Sequence, residues 1–196
     1  KGEGVYVWDV EGKRYFDFLS AYSAVNQGHC HPRIINKLKE QAEKLTLTSR
    51  AFYNAELGVY EKFMTELFGF DKILPMNTGA EAVETALKIA RKWGYEKKGI
   101  PAGEAILVVC KDNFHGRTTT IISFSNDEDA RKNFNPYTSG FIAVEYNDAE
   151  ALKQIFEEKA DKICGFLVEP IQGEAGVNVP SEGYLKNSKK LCKQYN

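Results

Sequence analysis

The chain has 196 residues, of which 43% are hydrophobic and 27% are charged, and its formal net charge is −1. This near-neutral balance gives no reason to expect nucleic acid or a membrane surface as a partner. No apolar run approaches the roughly 20 residues of a membrane span. The opening Lys1-Gly2-Glu3-Gly4 has no apolar stretch behind it, so no signal peptide is expected.

The four cysteines are scattered without a C-x-x-C pair, which indicates reduced thiols in an intracellular protein: Cys30, Cys110, Cys164 and Cys192. The run His29-Cys30-His31 looks like a metal-binding cluster. Three consecutive residues cannot easily converge on one ion, however, and no second ligand pair follows at a suitable spacing. We therefore expect no metal site.

Alternating side chains and turn residues predict a β-hairpin at the start of the chain, with strands at 5–9 and 14–18 around Glu11-Gly12. Pro32 stands where a first helical turn would begin. Apolar residues recur at helical spacing in two segments, the second of which would stop near Gly69: 34–45 and 57–68.

Beyond residue 70, strand patterns alternate with helical patterns. Strands are predicted at 72–76, 105–110, 141–145 and 165–169. Helices are predicted at 81–95, 149–159 and 184–195. This alternation predicts an α/β fold with a mostly parallel sheet and flanking helices.

The segment Asn77-Thr78-Gly79-Ala80-Glu81 joins the first of these strands to a helix. The first backbone N–H groups of a helix have no internal partner, and the helix dipole is positive there. Such a site binds phosphate, and a glycine lets the phosphate approach the backbone closely. The alternative is an ordinary helix N-cap formed by Thr78.

The segment Asn113-Phe114-His115-Gly116-Arg117-Thr118 follows the second strand. Loops at the carboxyl ends of parallel strands are where α/β folds place ligands. An aromatic side chain there can stack on a flat ring, and an arginine can bind a carboxylate through two hydrogen bonds. The alternative is a buried phenylalanine and a solvated arginine.

The segment Glu169-Pro170-Ile171-Gln172-Gly173-Glu174 follows the last strand and brings two carboxylates and an amide to the same edge. Carboxylates beside a bound cofactor can pair with arginines or tune its ring. A single Glu-Pro pair would carry no information, but three polar, glycine-containing loops at one edge indicate a ligand site.

The three motifs together resemble those of subgroup III of the fold-type I pyridoxal-phosphate-dependent aminotransferases. The matching segments are Thr78-Gly79-Ala80-Glu81, Phe114-His115-Gly116-Arg117-Thr118 and 168–176. The resemblance covers essentially the whole chain. Within the subgroup, the segments 18–29 and 47–54 are most similar to ornithine aminotransferases.

The resemblance implies a fold-type I aminotransferase and pyridoxal 5'-phosphate as cofactor. It implies that 1–53 is an N-terminal segment belonging to the small domain and substrate channel, and that 54–196 is an incomplete large cofactor-binding domain. The residues it assigns to the cofactor phosphate, to the ring and to its surroundings are Thr78, Gly79, Ala80, Phe114, His115 and Glu169.

The resemblance also implies the reaction, which is transfer of the terminal amino group of L-ornithine to 2-oxoglutarate, giving glutamate semialdehyde and glutamate. Arg117 would bind the α-carboxylate of ornithine and Tyr22 its α-amino group. Tyr53 would line the substrate channel. Glu174 would pair with a later arginine, masking it for ornithine and releasing it for 2-oxoglutarate.

Two residues of the family are not matched in this chain: the aspartate that pairs with the pyridine nitrogen and the lysine that holds the cofactor covalently. We therefore expect that the chain is an N-terminal part of such an enzyme and that it contains no catalytic residue. We also expect that the chain alone does not catalyse transamination. The family implies a homodimer in the cytoplasm, or in the mitochondrial matrix of a eukaryote, with a role in proline biosynthesis and arginine catabolism.

Two alternatives stay open. One is another member of the subgroup, such as an acetylornithine or 4-aminobutyrate aminotransferase; acetylornithine aminotransferases lack a tyrosine matching Tyr22. The other is a short protein that binds a phosphate ligand or a partner aminotransferase without catalysis. A downstream reading frame that supplies the aspartate and the lysine would exclude this second alternative.

Overall fold

The computed structural model describes residues 1–196, which form two compact units, Lys1–Ile73 and Leu74–Asn196. None of the helices is both long enough and apolar enough to cross a membrane. The division into domains at 53/54 stays a prediction, since a compact unit is defined by its contacts and a domain by independent folding.

The first unit contains a small antiparallel sheet in the order β1-β2-β3 and two helices. The predicted hairpin is confirmed, because Val7 of the second strand pairs with Tyr15 of the third. Its elements are β1 (Gly2–Glu3), β2 (Tyr6–Trp8), β3 (Arg14–Phe16), α1 (Pro32–Ala42) and α2 (Ala55–Phe68).

Local signals explain both helices of the first unit. Pro32 occupies the first turn of α1, where its missing N–H costs no hydrogen bond. The side chain of Asn54 caps α2 by accepting hydrogen bonds from two backbone N–H groups of the first turn. Gly69 ends α2 in the left-handed conformation with a φ of 68°.

The second unit is a three-stranded parallel sheet in the order β5-β4-β6, with helices around it. Its strands are β4 (Ile106–Cys110), β5 (Phe141–Val144) and β6 (Ile163–Leu167). Its α-helices are α3 (Gly79–Trp93), α4 (Glu128–Arg131), α5 (Ala149–Lys159) and α6 (Tyr184–Gln194). A π-helix (Gly94–Lys98) extends α3, and a 3-10 helix (Ile121–Phe124) follows β4.

The central strand β4 is buried on both faces, as a strand between two layers of helices requires. Leu107 and Val109 belong to one apolar cluster, together with Leu87 of α3. Val108 belongs to the other cluster, together with Leu152 of α5. Side chains of successive strand residues point to opposite faces, so a single five-residue strand anchors both cores.

The four cysteines are free, in line with their predicted reduced state. Cys110 and Cys164 are buried in strands β4 and β6. Burial raises the pKa of Cys110 to about 11, so its thiol is protonated and unreactive at neutral pH.

The structure corrects two of the predicted strands. The segment 72–76 is not a strand: it pairs with no described strand, and Pro75 has no N–H to donate to a ladder. The last strand runs from Ile163 to Leu167 and so begins and ends two residues before the predicted 165–169. Ile163 already pairs with Ile106, whereas Glu169 leaves the ladder before Pro170.

Candidate active site

The carboxyl ends of the three parallel strands lie at one edge of the sheet of the second unit. Two of the sequence motifs are loops at this edge, one after β4 and the other after β6. Glu145, just after β5, forms an ion pair there with Lys111, just after β4. The edge is therefore polar and built from all three strands, as expected for a ligand site of an α/β sheet.

The remaining motif, Asn77–Glu81, begins helix α3, where capping groups satisfy part of the exposed donors. Thr78 is the N-cap, and its Oγ1 accepts a hydrogen bond of 3.1 Å from the backbone N–H of Glu81. The Glu81 carboxylate in turn accepts one of 2.9 Å from the backbone N–H of Asn77. The backbone N–H groups of Gly79 and Ala80 are left for an external acceptor.

The N-cap interpretation of this turn is confirmed, whereas phosphate binding stays a prediction that is compatible with it, because the capped helix end still presents free N–H groups. A Cβ added to Gly79 would have no atom within 4 Å, so the space beside it is open. An open space with free donors at the positive end of a helix dipole fits a phosphate.

The loop after β4 is fastened to α3 on both sides of Arg117. A Cβ on Gly116 would lie 3.0 Å from the Cβ of Ala80, so this loop passes directly over the first turn of the helix. Only glycine adopts the Gly116 φ of 125° readily. On the other side, the hydroxyl of Thr118 donates a hydrogen bond of 2.5 Å to Glu84.

Phe114 and His115 differ in exposure. The Phe114 side chain is 46% exposed, so the alternative of a buried phenylalanine is wrong and its ring is accessible for stacking. Burial lowers the pKa of His115, which keeps the imidazole neutral, and its Nε2 has no hydrogen-bond partner in the protein. The accessible Phe114 ring at this sheet edge fits a flat heteroaromatic ligand.

The loop after β6 meets the loop after β4 through Glu169. Its Oε2 accepts a hydrogen bond of 3.2 Å from the backbone N–H of Phe114. Burial raises the pKa of Glu169 above the usual carboxyl value. The carboxylate therefore orders the backbone that carries the exposed Phe114 ring.

Two residues that sequence reasoning did not assign hold the loop after β6 in place. Gln172 is 1% exposed, and its Nε2 donates a hydrogen bond of 2.7 Å to the carbonyl of Lys111. The hydroxyl of Tyr146 lies 3.2 Å from the carbonyl oxygens of Glu169 and Pro170. The only sequence signal of Tyr146 is a polar residue just after a strand, which is too common to single it out, whereas Gln172 lies in a predicted motif that gave it no role of its own.

The structure brings together six predicted site residues in the second unit: Thr78, Gly79, Ala80, Phe114, His115 and Glu169. Arg117 and Glu174 are exposed in the loops that follow β4 and β6, and neither forms an ion pair. Tyr22 and Tyr53 belong to the first unit, where their side chains are exposed.

Comparison with known proteins identifies the family. The family model described as "Aminotransferase class-III" matches residues 1–196. The mitochondrial ornithine aminotransferase of Arabidopsis thaliana is 60% identical over the whole chain, which covers 41% of that relative. The corresponding Drosophila melanogaster protein is 59% identical, with 45% of it covered.

Two solved structures have the same fold over the whole chain. The ornithine aminotransferase of Toxoplasma gondii ME49 has a TM-score of 0.96 at 52% identity, with 46% of that chain covered. The acetylornithine aminotransferase of Elizabethkingia anophelis has a TM-score of 0.85 at 64% identity, with 47% covered.

The chain spans less than half the length of these relatives. The match is nevertheless continuous from the hairpin to the last helix, and it confirms the predicted α/β fold of a fold-type I aminotransferase. The chain belongs to the class-III aminotransferase family.

Proposed function

We propose that this chain is part of a pyridoxal-phosphate-dependent enzyme that transfers the terminal amino group of L-ornithine to 2-oxoglutarate. The observation that carries the proposal is the junction of three elements: Ala80 packs against Gly116, and Phe114 donates to Glu169. A phosphate-binding helix end and an accessible aromatic ring thereby lie at one sheet edge. Relatives between 54% and 60% identical, named ornithine aminotransferase, support the substrate.

The cofactor, when bound, supplies a ring that withdraws electrons from the substrate carbon bearing the amine. In this proposal the N–H groups of Gly79 and Ala80 bind its phosphate, and Phe114 stacks on its ring. His115 stays neutral beside the ring because burial lowers its pKa. Glu169 orders the Phe114 backbone. No residue of this chain is assigned to the covalent lysine or to the aspartate at the pyridine nitrogen.

The substrate roles follow from the need to accept a diamino acid and then a diacid in one pocket. Arg117 binds the α-carboxylate of ornithine through two hydrogen bonds, and Tyr22 receives the α-amino group. Together they keep the α-end away from the chemistry, so that the terminal amine reaches the cofactor. Tyr53 lines the approach, and Glu174 masks an arginine of the complete protein until 2-oxoglutarate binds.

The complete protein is proposed to act as a homodimer, which is the arrangement that the family implies. Two relatives whose names include "mitochondrial" support the mitochondrial matrix as its location in a eukaryote.

An acetylornithine aminotransferase is the second candidate, favoured by the name of the Elizabethkingia anophelis protein, which is 64% identical. A blocked α-amine carries no charge and leaves Tyr22 without its proposed partner. The experiment compares kcat/KM of the complete polypeptide for ornithine, N-acetylornithine and 4-aminobutyrate, each with 2-oxoglutarate. We expect the highest value for ornithine. A higher value for N-acetylornithine would contradict the proposal and favour the second candidate.

A further inference from the structure

The turn that carries Tyr22 is built in an unusual conformation. Four consecutive residues, none of them glycine, have left-handed φ values of 51°, 50°, 55° and 69°: Ser20, Ala21, Tyr22 and Ser23. L-amino acids disfavour this region because Cβ approaches the following carbonyl oxygen. The backbone bonds that close the turn, Ser23 to Leu19 and Val25 to Ser20, measure 3.3 and 3.1 Å. A conformation this costly needs support from outside the turn.

Asp17 supplies the support at the start of the turn. Its Oδ1 accepts hydrogen bonds from the backbone N–H groups of Leu19 at 3.1 Å and Ser20 at 2.9 Å. Its Oδ2 lies 2.6 Å from Nε2 of His29. The Asp17 carboxylate therefore links Leu19 and Ser20, at the start of the turn, to His29, which follows the turn.

His29 is held by the first strands of the sheet. Its backbone pairs with Gly4 in both directions, with N–O distances of 2.8 and 2.9 Å. A Cβ on Gly2 would lie 2.9 Å from Cγ of the imidazole, so the ring lies directly on the strand. The Asp17 and His29 side chains are only 18% and 24% exposed, whereas Tyr22 is 78% exposed. The Asp17–His29 pair is therefore shielded from solvent at the foot of the turn, whereas the Tyr22 side chain at its far end is accessible.

We propose that Asp17 and His29 are positioning residues, which hold this left-handed turn so that Tyr22 can receive the α-amino group of the donor substrate. The inference rests on the proposed function, because it assigns a purpose to the pair only if Tyr22 recognises that amine. According to this inference, the preference of the complete enzyme for a donor with a free α-amine depends on Asp17 and His29, neither of which contacts the substrate.

The test uses the complete holoenzyme and two donors of equal length: ornithine, and 5-aminopentanoate, which lacks the α-amine. We expect Asp17→Ala to lower kcat/KM for ornithine by about tenfold, mainly through KM, because a hydrogen bond to a charged group is lost. The value for 5-aminopentanoate should change less than about twofold. Asp17→Asn keeps an acceptor for Leu19 and Ser20 but no charge for His29, and should give an intermediate loss.

Asp9 is a matched control in the hairpin. Its carboxylate also accepts two backbone N–H bonds, at 3.0 and 2.9 Å, and one side-chain bond at 2.9 Å, from Tyr15. Asp9→Ala should leave unchanged the donor ratio, which is kcat/KM for ornithine divided by kcat/KM for 5-aminopentanoate. An equal change in that ratio for Asp9→Ala and Asp17→Ala would overturn the inference, because it would reflect general loosening of the unit.

Tyr22→Phe separates this inference from the proposed function. If Tyr22→Phe lowers kcat/KM for ornithine relative to 5-aminopentanoate and Asp17→Ala does not, the inference fails and the role of Tyr22 stands. If Tyr22→Phe leaves this ratio unchanged, the role of Tyr22 fails and the inference fails with it.

The double variant Asp17→Ala with Tyr22→Phe should lose no more of this ratio than Tyr22→Phe alone, since Asp17 acts through Tyr22. An additive loss would overturn the positioning role. If Asp17→Ala does not fold, Asp17→Asn and His29→Gln give the same comparison.

Discussion

Gly79 and Gly116 are two glycines of the candidate site with opposite structural requirements. A Cβ on Gly116 would lie 3.0 Å from the Cβ of Ala80, and its φ is 125°. Gly79 has neither restriction, because its neighbourhood is open and its φ is that of a helix. Glycine at 116 is explained by packing, whereas glycine at 79 has no structural cause within the chain, and the phosphate proposed above would supply one.

This difference predicts that Gly79→Ala separates binding from stability. The added methyl group removes backbone freedom from the unfolded chain and should raise or preserve the melting temperature. It also occupies the open space, so the affinity of the complete enzyme for pyridoxal phosphate should fall by about tenfold or more.

Gly58→Ala is the matched control, because Gly58 lies in α2 and a Cβ there also has no atom within 4 Å. It should leave the affinity unchanged. Titration of both apoenzymes with the cofactor, together with thermal unfolding, makes the comparison. Unchanged affinity for Gly79→Ala would count against a phosphate at this helix end.

At the scale of elements, local signals predict what local interactions determine. The start of α3 follows from Thr78 and Glu81, and the end of α2 from Gly69, because a cap involves neighbours in sequence. The error at 72–76 arose because a strand also needs a partner, which an apolar pattern does not supply. The roles of Tyr146 and Gln172 depend on contacts between distant segments and could not be predicted.

Gln172 anchors the loop after β6, so its removal should destabilise the protein. In Gln172→Leu the carbonyl of Lys111 and the amide of Asn178 lose the part-buried hydrogen bonds that the buried Gln172 side chain makes with them. We expect a loss of about 1–3 kcal/mol in the free energy of unfolding, measured by urea denaturation. Gln154→Leu, at an exposed position of α5, should change it by less than about 0.5 kcal/mol. Equal effects of the two substitutions would contradict the anchoring role.

The Asp17–His29 pair predicts a pH dependence of stability in the first unit. The hydrogen bond to His29, with further bonds from Ser20 and Leu19, lowers the pKa of Asp17 below its ordinary 3.8. A carboxyl whose pKa is lowered by folding contributes stability above its unfolded pKa, and this stability is lost as the pH falls through its folded pKa.

Asp17→Asn should therefore lower the melting temperature at about pH 5, where the carboxylate of the unsubstituted protein is ionised in both the folded and the unfolded state. The difference from the unsubstituted protein should shrink progressively below pH 3.8, where the unsubstituted side chain becomes protonated in both states. Thermal unfolding over a pH series measures it. A difference that persists in acid would show that the charge of Asp17 is not what stabilises the turn.

At the scale of the whole molecule, many large apolar side chains are exposed, among them Phe63, Leu67 and Phe70 in and beyond α2. Exposed apolar surface of this kind drives association. The relatives are more than twice as long as the chain. A polypeptide of the relatives' length would have residues available to cover this surface.

We predict that the 196-residue chain, produced alone, self-associates and gains no visible absorbance band with pyridoxal phosphate. The complete polypeptide should be monodisperse, yellow and active. Size-exclusion chromatography and an absorbance spectrum of both proteins test this. A monodisperse, yellow short chain whose colour is fixed by borohydride would show that one of its own lysines binds the cofactor covalently.

The left-handed turn has a stereochemical consequence. Ala21 has a φ of 50°, which is unfavourable for an L-residue and is the ordinary helical value for its mirror image. A D-alanine at position 21 should therefore raise the free energy of unfolding by about 1 kcal/mol. Cys30 permits the synthesis, since a peptide thioester covering 1–29 can be ligated to a fragment that begins at this cysteine. The control is D-alanine in place of Ala24, which is outside the left-handed run and should destabilise the protein. The free energies of unfolding of the two ligated proteins and of their all-L counterpart, measured by urea denaturation, would show whether the turn is more stable with a D-residue than with an L-residue.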